Sequence, residues 1–254
     1  MRFVPTGERD DMQRALALTQ TTVGKKALVA VTGAILFGFV IGHLAGNLLL
    51  LVGPEAYNAY AVGLKSNLPL LWGVRITLLV SLVTHVALTI QLAGRNASAR
   101  PTAYKKPRQD LITTYAARTM VLSGPLLFAY ILFHIAHFTA PGLSLGGSFD
   151  PDNVYMNVVH GFRVPLVSAI YIFANILLGL HLYHGGWSLF QSLGANHPKY
   201  NRLRRSGAIG LALLISAGNV FIPIAVMARI IDATPAEASA ASESGEEPFF
   251  EEAE

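Results

Sequence analysis

Four histidines, His43, His85, His134 and His181, each stand in a different apolar stretch of the chain. A charge-poor helix that crosses a bilayer rarely carries an ionisable side chain without a use for it. Neutral imidazole binds iron, copper or zinc through one ring nitrogen. It also hydrogen-bonds across helices, the ordinary reading of a single such residue. Four more histidines compete for the same roles: His137 and His184, one helical turn beyond His134 and His181, and His160 and His197 near the ends of apolar stretches.

The elements that must position these rings are membrane-spanning. The 254 residues are 52% hydrophobic and 13% charged, where a soluble domain averages about 25% charged. Residues 27–54, 76–94, 119–149, 164–198 and 206–228 contain no Asp, Glu, Lys or Arg. Each meets or approaches the roughly 20 residues that cross a bilayer. The expected fold is an all-α membrane protein with five transmembrane helices, near 27–52, 73–94, 117–139, 161–190 and 206–231. Pro125, Pro165 and Pro223 fall inside these spans and read as kinks. Residues 1–24 are polar and lack a signal-peptide pattern, so the first span is expected to be retained. Residues 25–231 form the membrane domain. Residues 232–254 read as an acidic, solvated tail.

Fifteen of the nineteen Lys and Arg residues fall in the N-terminal segment, the connection between the second and third spans, and the connection between the fourth and fifth. The positive-inside rule then places the N-terminus in the cytoplasm. The pI near 9.4 follows from this bias, and no basic stripe with interleaved aromatics points to nucleic acid. The absence of cysteine excludes a disulfide framework, covalent haem attachment through thioethers, and a cysteine-ligated iron–sulfur cluster in this chain.

Depth pairs the histidines. At 1.5 Å per residue, His43 and His134 lie ~24 and ~25 Å from the cytoplasmic ends of their expected spans, and His85 and His181 both ~14 Å. Two imidazoles per level would leave zinc short of ligands. Haem brings four equatorial nitrogens and needs two axial ones. The layout therefore suits two stacked b haems, an outer one on His43 and His134 and an inner one on His85 and His181. Gly38, Gly42 and Gly46 around His43 would let a porphyrin, or equally a neighbouring helix, come close.

Haem propionates need cationic or hydroxyl partners. Arg163 is the candidate for the outer group and Arg118 for the inner one. A quinone carbonyl needs a hydrogen-bond donor, and its proton exchange benefits from a carboxylate. Glu55 is the only acid in the loop after the first span, and Asn47 and Asn58 lie near it. A capping or solvated role for Glu55 is the simpler alternative.

Five segments together resemble the single-subunit, di-haem cytochrome b anchor of bacterial succinate:quinone oxidoreductases, which comprise succinate dehydrogenases and quinol:fumarate reductases. They are VTGAILFGFVIGHLAGN around His43, PEAYNAYAVGLKSNLP after the first span, THVALTIQL around His85, SGPLLFAYILFHIAHF around His134, and HLYHGGWSLFQSLG from His181. The resemblance covers about residues 24–231 with all five spans in order. It implies axial ligation by His43 with His134 and by His85 with His181. His181 is preferred to His184 because Gly185, Trp187 and Ser188 follow it in the family's pattern.

The resemblance also implies a flavoprotein and an iron–sulfur partner on the cytoplasmic side and a membrane quinone, menaquinone or ubiquinone, as substrate. The chain would sit in the bacterial cytoplasmic membrane as a multi-pass subunit with no dicarboxylate site of its own. The basic loop 95–108 is a candidate docking surface. Some fumarate reductases of the family carry a glutamate two residues before the fourth ligand. Gly179 stands there in this chain, which favours succinate oxidation and leaves fumarate reduction open. The cytochrome b subunit of another membrane dehydrogenase is the nearest alternative. A haemless transporter using histidines as proton relays is a further one, though no inverted repeat supports it.

Overall fold

A computed structural model describes residues 20–99, 115–139 and 149–233, except for the side chains of residues 115–118 and 121. The described residues are helical and contain no strand. Helix α1 covers Thr22–Asn47 and continues as a 3-10 turn over Leu48–Leu51. Then follow α2 (Pro54–Ser66), α3 (Leu68–Ser98), α4 (Tyr115–Phe138), α5 (Val154–Arg163), α6 (Pro165–Ser192) and α7 (Asn201–Met227).

Four helical segments are long and apolar enough to cross a membrane: Thr22–Leu51, Leu68–Ser98, Pro165–Ser192 and Pro198–Met227. Their faces expose Val31, Phe39, Leu79, Val83, Phe173 and Leu214. So much apolar surface is suited to lipid and not to water. The fifth expected span corresponds to α4, whose described apolar stretch, Leu122–Phe138, is shorter. The chain is thus an all-α membrane protein with four candidate spans among its described residues.

Two short helices depart from the sequence expectation. The stretch expected as one span over 161–190 is broken. Proline has no N–H to continue a helix, and it drives the residue before it out of the helical region. Val164 is accordingly extended, and α6 starts at Pro165 instead of kinking there. At the break the Ser168 hydroxyl donates to the Phe162 carbonyl at 2.6 Å, satisfying an acceptor the helix no longer uses. Pro125 and Pro223, by contrast, lie inside continuous helices. The other short helix, α2, fills part of the connection after the first span, where Pro54 opens it behind Gly53 at φ 130.

The contacts divide the chain into two compact units. One takes in residues up to Val40, Trp72–Gly124 and Leu180–Ala212. Within it α6 and α7 approach closely enough that a Cβ on Gly186 would sit 3.5 Å from that of Ala208. The Arg204 guanidinium lies over the Trp187 ring at 5.2 Å and donates to the Ala195 carbonyl and to Asn196 and Asn201, tying the turn between α6 and α7.

The other unit takes in Ile41–Leu71, Pro125–Gly179 and the chain from Leu213. Its core gathers Leu50, Tyr155, Val159, Phe162, Tyr171 and Val226. Helix α5 is buried along Tyr155, Val158, Val159 and Phe162. Its N-cap Asn153 accepts from the Met156 N–H at 3.2 Å. At its far end Arg163 pairs with Asp232, which Arg229 also approaches at 3.6 Å. Arg229 holds the left-handed φ of 59 that turns the chain after α7.

Candidate functional site: two histidine pairs

Each unit holds one pair of facing histidines. In the first unit His85 on α3 and His181 on α6 have ring centroids 6.4 Å apart at 58°. In the second, His43 on α1 and His134 on α4 have centroids 5.7 Å apart at 82°. All four rings are half-buried. These are the two pairs expected from depth. His137, one turn past His134, is buried and stacks on Phe133 at 5.7 Å, and His184 is half-buried one turn along α6.

The separations suit a shared iron. With a metal–imidazole bond of about 2.0 Å and a ring nitrogen ~1.1 Å from the ring centre, two imidazoles facing each other across one metal have centroids roughly 6 Å apart. Among the described residues no cluster of three or more His, Cys, Asp or Glu could hold a bare metal ion. A two-nitrogen site matches a metal that brings its own equatorial ligands. Open space lies beside several glycines near the rings. A Cβ on Gly42, next to His43, or on Gly185, one turn past His181, would meet nothing within 4 Å, and the same holds for Gly38. Gly46 serves another purpose: the Tyr60 ring would lie 2.7 Å from its Cβ, so this glycine admits a packing side chain.

The ring nitrogens are held from behind. His85 Nδ1 lies 3.1 Å from the Val29 carbonyl, an acceptor only, so Nδ1–H donates and Nε2 is left for a metal. The Thr32 hydroxyl is 3.3 Å from the same nitrogen, and a Cβ on Gly33 would sit 3.2 Å from His85 Cε1. His134 Nδ1 is 3.2 Å from the Tyr171 hydroxyl on α6, and His137 Nδ1 is 3.1 Å from that hydroxyl too. His181 Nδ1 is buried and has no hydrogen-bond partner among the described residues.

The other expected site residues are placed less favourably. Arg163 is engaged by Asp232; burial, then the nearby Arg229, lowers its pKa from the ordinary value. Arg118 lies on α4, but its side chain is outside the described residues, as are loop residues 100–108 and the acidic tail from 234. Asn58 is committed to packing α2 on α5: its amide donates to Asn153 at 3.0 Å and its carbonyl accepts the Tyr155 N–H at 2.9 Å. Asn47 accepts from the Tyr57 hydroxyl at 3.2 Å. Burial, then the neighbouring Tyr60, pushes that phenol up to about 12, so it stays a donor. Glu55 is exposed in the first turn of α2, where a negative charge complements the helix N-terminus.

Two residues near the pairs escaped sequence reasoning. Tyr171 carries no motif; only its place ten residues before His181 and on the same helix hinted at a role. Lys25 is buried, with its ammonium donating to Gln91 on α3. In the sequence it shows only as a cation at the start of the first span. Comparison with family models, curated proteins and solved structures gave no match.

Proposed function

We propose that this chain is the di-haem cytochrome b membrane anchor of a succinate:quinone oxidoreductase, a five-span subunit in the cytoplasmic membrane working in the direction of succinate oxidation. One observation carries the reading: two separate histidine pairs, each in its own unit and each at the spacing of two imidazoles on one iron. The segments shared with that family supply the rest. They argue for α4 as the fifth span and for a flavoprotein and an iron–sulfur subunit as partners.

The haems, when bound, supply one-electron carriage between the partner's clusters and a membrane quinone. The chain's own residues do the remaining work. His43, His85, His134 and His181 offer ring nitrogens. Val29 and Tyr171 orient two of those rings from behind. Gly42 and Gly185 leave room for the macrocycles. Among the described residues Lys25 has no carboxylate partner, and a buried ammonium benefits strongly from one. It is therefore a better propionate partner for the His85–His181 group than Arg163, held by Asp232, is for the other. For the quinone, Glu55 keeps an exposed carboxylate, whereas Asn47 and Asn58 are already engaged.

A reduced-minus-oxidised absorbance spectrum of the purified complex tests this. Two b haems per chain are expected, together with a co-purifying flavoprotein and iron–sulfur subunit. No haem, or one per chain, defeats the reading. Two haems with a different set of partners would move the chain to another membrane dehydrogenase.

A further inference from the structure

Tyr171 holds a position that packing does not require of a tyrosine. It is 4% exposed. Its ring sits among Tyr130, Phe133, Phe138 and Phe162, with centroids 4.8 to 5.9 Å away. Phenylalanine would fill that space equally well. The hydroxyl is what distinguishes it, and it meets two histidine nitrogens: His134 Nδ1 at 3.2 Å and His137 Nδ1 at 3.1 Å.

A phenol has one proton, so it can donate to at most one of these nitrogens. The proposed function decides which. If His134 binds iron through Nε2, its proton resides on Nδ1, and Nδ1–H donates to the Tyr171 oxygen. The Tyr171 O–H then donates to His137 Nδ1, which places the His137 proton on Nε2. The three residues form one directed chain in which each tautomer fixes the next.

We infer that Tyr171 is a positioning residue for the axial ligand His134, and that through this hydrogen bond it sets the redox potential of the haem shared by His43 and His134. The inference rests on the di-haem reading. A hydrogen bond accepted from a ligating imidazole makes that imidazole a stronger electron donor and favours the oxidised metal. His137 strengthens the effect from one residue further back, because a phenol that donates its own proton is a better acceptor. This gives buried His137 a task at the same site.

The test is a potentiometric titration of the intact complex in membranes, followed by haem absorbance and by the low-spin ferric EPR signal. The component lost in His134→Ala identifies the haem concerned. Tyr171→Phe keeps the ring and removes one oxygen. It is expected to weaken the preference of that haem for the ferric state by up to about tenfold, a rise of up to about 59 mV, and to move its EPR signal, with the other haem unchanged. His137→Phe should raise the same potential by less.

Tyr130→Phe is the packing control. Tyr130 lies 6.0 Å from the His134 ring, and its hydroxyl faces Asn175 at 3.5 Å, so no shift is expected. An equal shift in Tyr130→Phe, or a shift in both haems, overturns the inference. Should Tyr171→Phe fail to assemble, His137→Phe decides it by the same titration. Two haems with neither potential moved in these variants sinks this inference alone. The absence of haem from the unaltered complex sinks the proposed function.

Discussion

The two histidine pairs are alike in spacing and unlike in support. His85 leans on a backbone carbonyl, that of Val29, with the Thr32 hydroxyl beside it. His134 leans on a side chain, Tyr171, which is shared with a second histidine and enclosed by aromatic rings. A carbonyl inside a helix cannot be altered by substituting its own side chain, so that support is built into α1. A phenol can be removed with one atom. The comparison suggests one site whose properties are fixed by the fold and another that single substitutions can tune.

The largest effect that would break this comparison is loss of a whole site. On the proposed di-haem function, His85→Ala or His181→Ala should each remove one of two haems and leave the other, halving the b-type absorbance, whereas His184→Ala should retain both. If His184→Ala loses a haem and His181→Ala does not, the pairing in that unit is wrong.

A steric wedge comes next. A Cβ on Gly161 would lie 2.8 Å from His137 Cε1, and His137 is enclosed, 4% exposed. Gly161→Ala should cost roughly 1–3 kcal/mol in stability by overpacking. On the proposed function it should disturb only the spectrum of the haem assigned to His43 and His134, read by thermal unfolding and redox titration. The matching wedge in the other unit is weaker: Gly33→Ala places its Cβ at 3.2 Å from His85 Cε1. A cost of about 1 kcal/mol or less, confined to the His85–His181 haem, is expected. Equal costs would show that the two pockets are equally tight.

The smallest effect sharpens the contrast in support. Thr32→Val removes a hydroxyl 3.3 Å from His85 Nδ1 but leaves the Val29 carbonyl at 3.1 Å. The Thr32 hydroxyl also bonds its own helix at the Leu28 carbonyl, 2.8 Å away. The haem potential should move by far less than in Tyr171→Phe. A shift of similar size would mean that His85 depends on the hydroxyl and that the backbone support is nominal.

Much of this arrangement was readable from residue order. Apolar length located the four long helices, because a bilayer imposes one dimension on every span. The helical rise then paired His43 with His134 and His85 with His181, since depth depends on counting alone. Helices α2 and α5 were not readable. Ten or thirteen residues with polar members give no length signal, and their stability comes from packing against each other through Asn58, Asn153 and Tyr155. Pro165 misled because proline is tolerated within spans, and only local geometry distinguishes a kink from a start. Arg163 and Asn58 looked available because sequence shows charge and polarity but hides the partners already taken, Asp232 and Asn153. Tyr171 stayed hidden because its role depends on facing α4 across the fold.

Helix α5 bears on how the molecule is made. At ten residues it is about 15 Å long, too short to enter a bilayer as a span. Its place is set by packing, with Tyr155, Val158, Val159 and Phe162 buried along it. The pairing that fastens it joins Arg163 to Asp232, beyond the last long helix. That pairing therefore cannot form until the chain beyond α7 has been made. The contact that fastens α5 is thus among the last that synthesis delivers, and a chain cut short before Asp232 would lack it.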